Sequence, residues 1–290
     1  MQKIPEIFEF KLKLSDGRAK ICAAEFSVCG SHVAIVDDTR ALYVVAVDSG
    51  KSRTLLHDAK TFVFCQSTNE LAVASNADRG TIHRFDVEQD GLALTPLPCP
   101  LVSCLTYEGA GKTIIAGDSA GFLHQFRLDC QPFPQRISSQ RFVCQTGLRA
   151  LCANPSRIYA ATDSGGMFCL RTCEMELAQN KEWLLERSDW DSYTIACHDT
   201  VQMVAIAGYG GYIRFYRMHF MEAQILPTAF AFIYKMYYLS RPGLLAVVGN
   251  CGLEFWKIDC GQPFLVERFT DVPDIKAIRE VDGMLLVACS

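Results

Sequence analysis

KTIIAGDSAGFLHQFRL, residues 112–128, holds the reading of the whole chain. A short run of small apolar residues ends in a polar turn at Asp118 to Gly121, and a run with larger side chains follows. The same figure returns as HVAIVDDTRALYVVAV (32–47), ELAVASNADRGTIHRFDV (70–87), RIYAATDSGGMFCLR (157–171), MVAIAGYGGYIRFYRM (203–218) and GLLAVVGNCGLEFWKID (243–259). The residues that open the larger-residue runs are Arg40, Gly80, Gly121, Gly166, Gly211 and Gly252, at intervals of 40, 41, 45, 45 and 41. Five of these six are glycine, the residue that supplies positive φ at a tight hairpin turn without steric cost. Two places earlier stand Asp38, Asp78, Ser119, Ser164, Tyr209 and Asn250, most of them turn formers whose side chains accept from local backbone N–H groups.

Between the copies lie two further strands per repeat. Outer strands read RTLLH (53–57), LALTPL (92–97), EWLLER (182–187), EAQIL (222–226) and PFLVER (263–268). Inner strands read AKTFVF (59–64), LVSCLTY (101–107), LRALCA (148–153), YTIACH (193–198) and IYKMYY (233–238). Four short strands in a period of ~40–45 residues are the mark of a β-propeller, whose sheets bury their faces only by stacking on one another around a ring. A solenoid would repeat on a shorter period, and a pair of sandwiches would show no fixed interval.

GTIHRFDV (80–87) resembles the end of a WD repeat, with Phe85 and Asp86 in the Trp-Asp place. Phe126 and Arg127, Val45 and Ala46, and Tyr216 and Arg217 take that place in other copies, and the Gly-His dipeptide that usually opens a WD repeat is absent. The chain is thus similar to a divergent WD40-like propeller over nearly its whole length, as an architecture. Six copies are nearly complete, and a seventh starts with IKAIRE (275–280) and MLLVACS (284–290). The WD-repeat family closes its ring by pairing the N-terminal strand into the last blade, which assigns EIFEFKLKL (6–14) to blade seven. The spacing from 6–14 to the next inner strand suits an outermost strand, so the last blade is either three-stranded or short of about ten residues. The expectation is one all-β domain over 1–290: a seven-bladed propeller.

Composition narrows the function. Of 290 residues, half are hydrophobic and 21% are charged, and the net charge is −4. This is a packed globular protein, neither a disordered chain nor a basic one built for bulk nucleic-acid binding. The 14 cysteines include no Cys-x-x-Cys pair, and many sit in apolar runs, as Cys104, Cys169 and Cys289 do. They read as reduced core thiols rather than a disulfide framework or metal site. The N-terminus lacks an apolar signal region, and the most apolar stretch (225–238) is interrupted by Pro227 and Lys235. No membrane association is expected, and the compartment is read as cytoplasm or nucleus.

Chemical motifs are few. Glu108 to Thr113 imitates a phosphate-binding loop, but Thr106 stands where a glycine is required and a strand follows instead of a helix. His83, His124 and Cys169 occupy equivalent places on successive repeats, ~10 Å apart in stacked sheets, too far to share one zinc. They read as inter-blade packing. Inner strands offer Thr61, Ser103, Thr106, Arg149, Thr194, Lys235 and Lys276, with no recurring acid pair. No catalytic residue, cofactor, metal or small-molecule substrate is therefore expected, although a hydrolase using the rim carboxylates Asp189 and Asp191 is an alternative.

Contact residues are the better candidates. Trp190 stands between Asp189 and Asp191 in the longest departure from the repeat (172–192), and Tyr209 stands in a Gly-flanked turn with little to pack on. Arg40 and Arg79 lie beside turns on the same face. These four residues point to a non-catalytic scaffold or adaptor that binds protein partners in a larger complex, a reading the WD40 resemblance also implies. The basic run KLKLSDGRAK (11–20) supports a second alternative, an RNA-binding accessory subunit of an RNA-modifying or RNA-processing enzyme.

Overall fold

In the computed structural model, residues 6–11, 20–65, 67–75, 77, 80–89, 92–99, 101–108, 111–129, 134–141, 146–171, 182–185, 192–198, 202–217, 223–239, 243–270, 272, 274–282 and 284–289 are described. They form strands throughout, arranged as six four-stranded sheets and one three-stranded sheet. Each four-stranded sheet is an antiparallel meander of consecutive strands, here called a to d from the channel outward. Blade one is Ile21–Phe26, His32–Asp37, Leu42–Ala46 and Ser52–Leu56. Blade two is Ala59–Phe64, Glu70–Ser75, Thr81–Asp86 and Leu92–Pro98. Blade three is Val102–Tyr107, Thr113–Asp118, Phe122–Arg127 and Gln135–Arg141. Blade four is Leu148–Ala153, Arg157–Thr162, Met167–Arg171 and Glu182–Leu185. Blade five is Ser192–His198, Met203–Gly208, Tyr212–Arg217 and Ala223–Pro227. Blade six is Ile233–Tyr238, Leu244–Gly249, Gly252–Asp259 and Gln262–Thr270.

Blade seven combines Ile275–Val281 and Met284–Cys289 with the N-terminal strand Glu6–Lys11. The ends of the chain therefore meet as expected. The N-terminal strand runs parallel to Met284–Cys289, from Glu6 opposite Met284 to Lys11 opposite Cys289. That direction belongs to an outermost strand, because strands b and d of a meander run the same way. Here it sits directly against strand b, and the described residues supply three strands of this blade.

The core is divided among the junctions. Seven apolar clusters lie between the seven pairs of neighbouring blades, including Ala277 and Ala288 of blade seven against Ile21, Val33 and Ile35 of blade one. The ring is closed by the same kind of packing that builds every other junction. Strand b is sandwiched on both faces, which explains its continuous small-apolar reading. Every residue of Thr113–Asp118, Met203–Gly208 and Leu244–Gly249 is buried. At Gly117 a Cβ would stand 2.6 Å from Cys104 Sγ and 2.9 Å from Leu148 Cβ, so the blade three–four junction tolerates nothing larger. Polar groups also bridge junctions: Tyr107 donates to Glu70 Oε1 at 2.7 Å, and Arg84 grips both oxygens of Glu70 at 2.6 and 2.7 Å.

The b–c turns depart from expectation by one residue. The acceptors that hold them are the last residues of strand b, not the residues after it. Asp37 Oδ1 accepts from the backbone N–H groups of Thr39 and Ala41, both at 2.9 Å, and Asp118 Oδ1 accepts from Ala120 and Phe122 at 2.9 and 2.7 Å. Thr162 Oγ1 accepts from Gly166 at 2.9 Å in the same place. Positive φ falls on Arg40, Gly121 and Gly211 as read, but in blade four it falls on Gly165. His124 is turned to Asp118 of its own blade at 3.0 Å, not across a junction, and His83 stacks on Phe85. Glu108 and Gly111 close a tight turn into strand b of blade three, with no helix behind it.

Candidate functional site

Every inner strand carries an irregularity at the same place. Strand a skips one residue against strand b between Ile21 and Ala23, Ala59 and Thr61, Val102 and Cys104, Leu148 and Ala150, Ser192 and Thr194, Ile233 and Lys235, and Ile275 and Ala277. The extra residues are Cys22, Lys60, Ser103, Arg149, Tyr193, Tyr234 and Lys276. A β-bulge bends its strand and re-aims the side chain it leaves unpaired. In an antiparallel meander the b–c turn and the entry into strand a lie at the same end. The seven bulges therefore form a ring at the channel mouth on the face that carries the b–c turns.

Half of this mouth is aromatic. Tyr193 of blade five is 42% exposed, and its ring meets Phe232 edge-on at 4.9 Å. Phe232 stands just before the inner strand of blade six, with Tyr209 tilted against it at 4.2 Å and Tyr234 edge-on at 4.7 Å. Cations flank both ends. Arg149 of blade four lies over the Tyr193 ring at 5.4 Å and reaches Asp163 at 3.6 Å. Lys276 of blade seven lies over Tyr234 at 5.6 Å and pairs with Asp274 at 2.8 Å. Burial, with the charge of Asp274 beside it, raises the Tyr234 phenol above its ordinary range, so it stays a neutral donor. The arc from Arg149 to Lys276 thus spans four blades.

The backbone beneath it is tightly fixed. Tyr209 and Phe232 form an isolated antiparallel bridge, and Asn250 Oδ1 accepts from the N–H groups of Ala231 and Phe232 at 3.0 and 3.2 Å. Gly211 has φ +74°, and a Cβ there would stand 2.3 Å from the carbonyl oxygen of Phe230. Glu254, fully buried, accepts from the backbone N–H of Ala229 at 2.9 Å, from Trp256 Nε1 at 2.9 Å and from Arg268 Nε at 2.8 Å. One carboxylate thereby ties strands c and d of blade six to the connection that presents Phe232.

Below the mouth the channel is bridged. Glu25 of blade one pairs with Lys235 of blade six at 3.2 Å, across blade seven, and its other oxygen accepts from the N–H of Phe64 in blade two at 3.1 Å. Burial alone would lower the Lys235 ammonium, but Tyr237 and Glu25 outweigh it and hold it well above the usual lysine range. Burial lowers Arg279, which faces the charge of Glu25. Glu25 is the inner-strand carboxylate that the sequence reading passed over, and it is held as an ion-pair partner. Among the described residues no three His, Cys, Asp or Glu side chains gather as metal ligands.

Of the contact residues expected from sequence, Tyr209 is in the arc and 52% exposed. It does not stand free on its turn, as the sequence suggested, but packs on Phe232 of the next blade. Arg40 lies on the same face at the blade one–two junction, 3.6 Å from Asp58, and the structure does not bring it to Tyr209. Trp190, Arg79, Asp189 and Asp191 lie outside the described residues. Tyr193, Phe232 and Tyr234 were missed because each reads as an ordinary strand residue. The extra residue before each inner-strand apolar pair, seen in all repeats together, was the available signal.

No family model matches the chain, and no curated protein matches it. Solved structures do. The chain is similar to the crystal structure of the RRP9 WD40 repeats, with a TM-score of 0.76 and 12% identity over 92% of this chain and 85% of that one. It is similar to the structure of U3-55K, with a TM-score of 0.75 and 11% identity over 92% and 86%. A chain of the mitotic checkpoint complex crystal structure gives a TM-score of 0.74 and 12% identity over 100% and 95%. At these identities the likeness is one of fold, the WD40-repeat propeller. Among the described residues no helix is long and apolar enough to cross a membrane.

Proposed function

We propose that this chain, a propeller of WD40-repeat fold, is a non-catalytic platform that docks a protein partner on the aromatic arc at its channel mouth. The observation that carries the reading is the chain of rings Tyr193, Phe232, Tyr209 and Tyr234, of which Tyr193 and Tyr209 are exposed and the other two half-buried, flanked by Arg149 and Lys276. Tyrosines and arginines on a rigid frame are what binding hot spots are made of, because they add contact area at low conformational cost. The frame here is rigid by construction: bulged strands, an isolated bridge and the buried Glu254 hold the rings before any partner arrives. Membership of a larger assembly fits the likeness in fold to a chain of the mitotic checkpoint complex structure. In this reading residues 1–290 are one domain working in cytoplasm or nucleus, and Trp190, two residues ahead of Ser192 in the sequence, joins the contact set.

The test is quantitative affinity purification of the wild-type chain beside a Tyr193→Ala/Phe232→Ala variant and a Phe264→Ser variant on the exposed outer strand of blade six. Docking at the mouth requires a set of co-purifying proteins that the double variant loses at least tenfold and Phe264→Ser retains. Equal recovery by all three chains, each with a cooperative melting transition, would overturn it.

A further inference from the structure

Two inner-strand cysteines face one another across the junction of blades four and five. Cys152 lies on strand a of blade four, opposite Tyr159 of strand b. Cys197 lies on strand a of blade five, opposite Val204. Both pack against the apolar cluster that joins these blades, which includes Tyr159, Met167, Ile195 and Tyr216. The two thiols interact with each other, and the phenols of Tyr159 and Tyr238 are near enough to feel the charge of either as a thiolate. Other cysteines meet hydroxyls instead: Cys29 meets Ser31, Cys65 meets Ser67 and Cys104 meets Ser103. Cys152 and Cys197 are half-buried, within reach of a small neutral solute. The inner strands of blades four and five lie side by side and both thiols pack on one cluster, so side-chain rotation toward one another can approach the ~2.05 Å of an S–S bond.

We propose that Cys152 and Cys197 are a two-electron redox pair that a peroxide-class oxidant closes into a disulfide stapling blade four to blade five. One sulfur attacks the peroxide, the O–O bond breaks, and a sulfenic acid and one water form. The second sulfur then displaces the sulfenic oxygen as a second water, making the S–S bond. Two thiols thereby give up two protons and two electrons, and the peroxide takes both. Burial lifts the Cys152 thiol well above its ordinary range, so the attacking thiolate is scarce at neutral pH and closure follows sustained oxidant rather than a brief pulse. The joined strands are those that carry Arg149 and Tyr193, so the staple fixes the blade four–five edge of the mouth. The proposal does not depend on what docks there.

Hydrogen peroxide on the purified full chain is the test. Trypsin releases residues 150–157 with Cys152 as the sole cysteine, and 188–214 with Cys197 as the sole cysteine. The expected result is these two peptides joined in non-reducing maps and separated by dithiothreitol, with Tm higher by about 5 °C in the oxidised chain. Cys152→Ser should abolish both the joined peptide and the rise in Tm, and Cys197→Ser serves equally if the first variant does not fold. Recovery of the two peptides unjoined, whether unmodified or as sulfinic acids, after exposed Cys22 and Cys251 have been oxidised would overturn the proposal. So would their joining to other cysteines.

Discussion

Glu254→Leu is the most informative single perturbation of the frame. The leucine keeps most of the volume of a fully buried side chain but removes three hydrogen bonds, from Ala229 N, Trp256 Nε1 and Arg268 Nε, all between 2.8 and 2.9 Å. The Trp256 donor, on a buried residue, then has no acceptor, which costs about 1–3 kcal/mol, and the exposed Ala229 loses a hydrogen bond worth about 0.5–1.5 kcal/mol net. The Arg268 side chain is 39% exposed and turns to water, so its share is below about 1 kcal/mol. The sum is about 1.5–5.5 kcal/mol, which lowers Tm by roughly 3–9 °C in a chain of this size. Urea denaturation measures it directly, with the midpoint falling and the slope unchanged. Arg268→Ala should cost under about 1 kcal/mol and so isolates the contribution of the Ala229 and Trp256 donors. A loss below about 1 kcal/mol for Glu254→Leu would refute the claim that this carboxylate organises blade six.

Three further outcomes follow from named contacts. Lys235→Met should destabilise by about 1–2 kcal/mol, less than a fully buried pair would because Lys235 is 36% exposed, and adding Glu25→Leu should restore part of the loss in a double-mutant cycle. Burial would raise the Asp37 carboxyl, but bonds from Thr39, Ala41 and Tyr43 hold it below its ordinary value of 3.8; its stabilisation is therefore present above that value and lost as pH falls through the lower folded one. The stability gap between wild type and Asp37→Ala, about 1–2 kcal/mol at pH 7 in urea titrations, should then narrow at pH 3. Cys29 is lowered because hydrogen bonds with Ser31, Ser27 and Asn69 outweigh burial, so Ser31→Ala should slow its alkylation by iodoacetamide at pH 7 by ~2–5-fold, read by peptide mass spectrometry.

The blades were legible because strand b is packed on both faces and must be apolar without a break, a pattern a sequence cannot hide. Thr113–Asp118 and Leu244–Gly249 show it most plainly. The turn acceptors were misplaced by one because blade one offers adjacent carboxylates, Asp37 and Asp38, and only the bend of the chain decides which points inward. The aromatic arc was half-legible. Tyr209 announced itself by breaking a turn pattern, whereas the bulge ring places Cys22, Lys60, Ser103 and Tyr193 in equivalent positions with no chemistry in common. Glu254 drew no reading in the sequence, because a lone acid among apolar residues looks like the solvent side of a strand, although both faces of that strand are enclosed. The parallel seating of Glu6–Lys11 depends on which strand lies beside it, a tertiary choice that spacing does not specify.

The most direct measurement places a photo-crosslinking phenylalanine analogue at position 193, at the channel mouth, and separately at position 264, on the outer wall. Docking at the mouth predicts discrete protein adducts from position 193 in cells and none above background from position 264. Adducts from position 264 alone, or the same adducts from both positions, would contradict it.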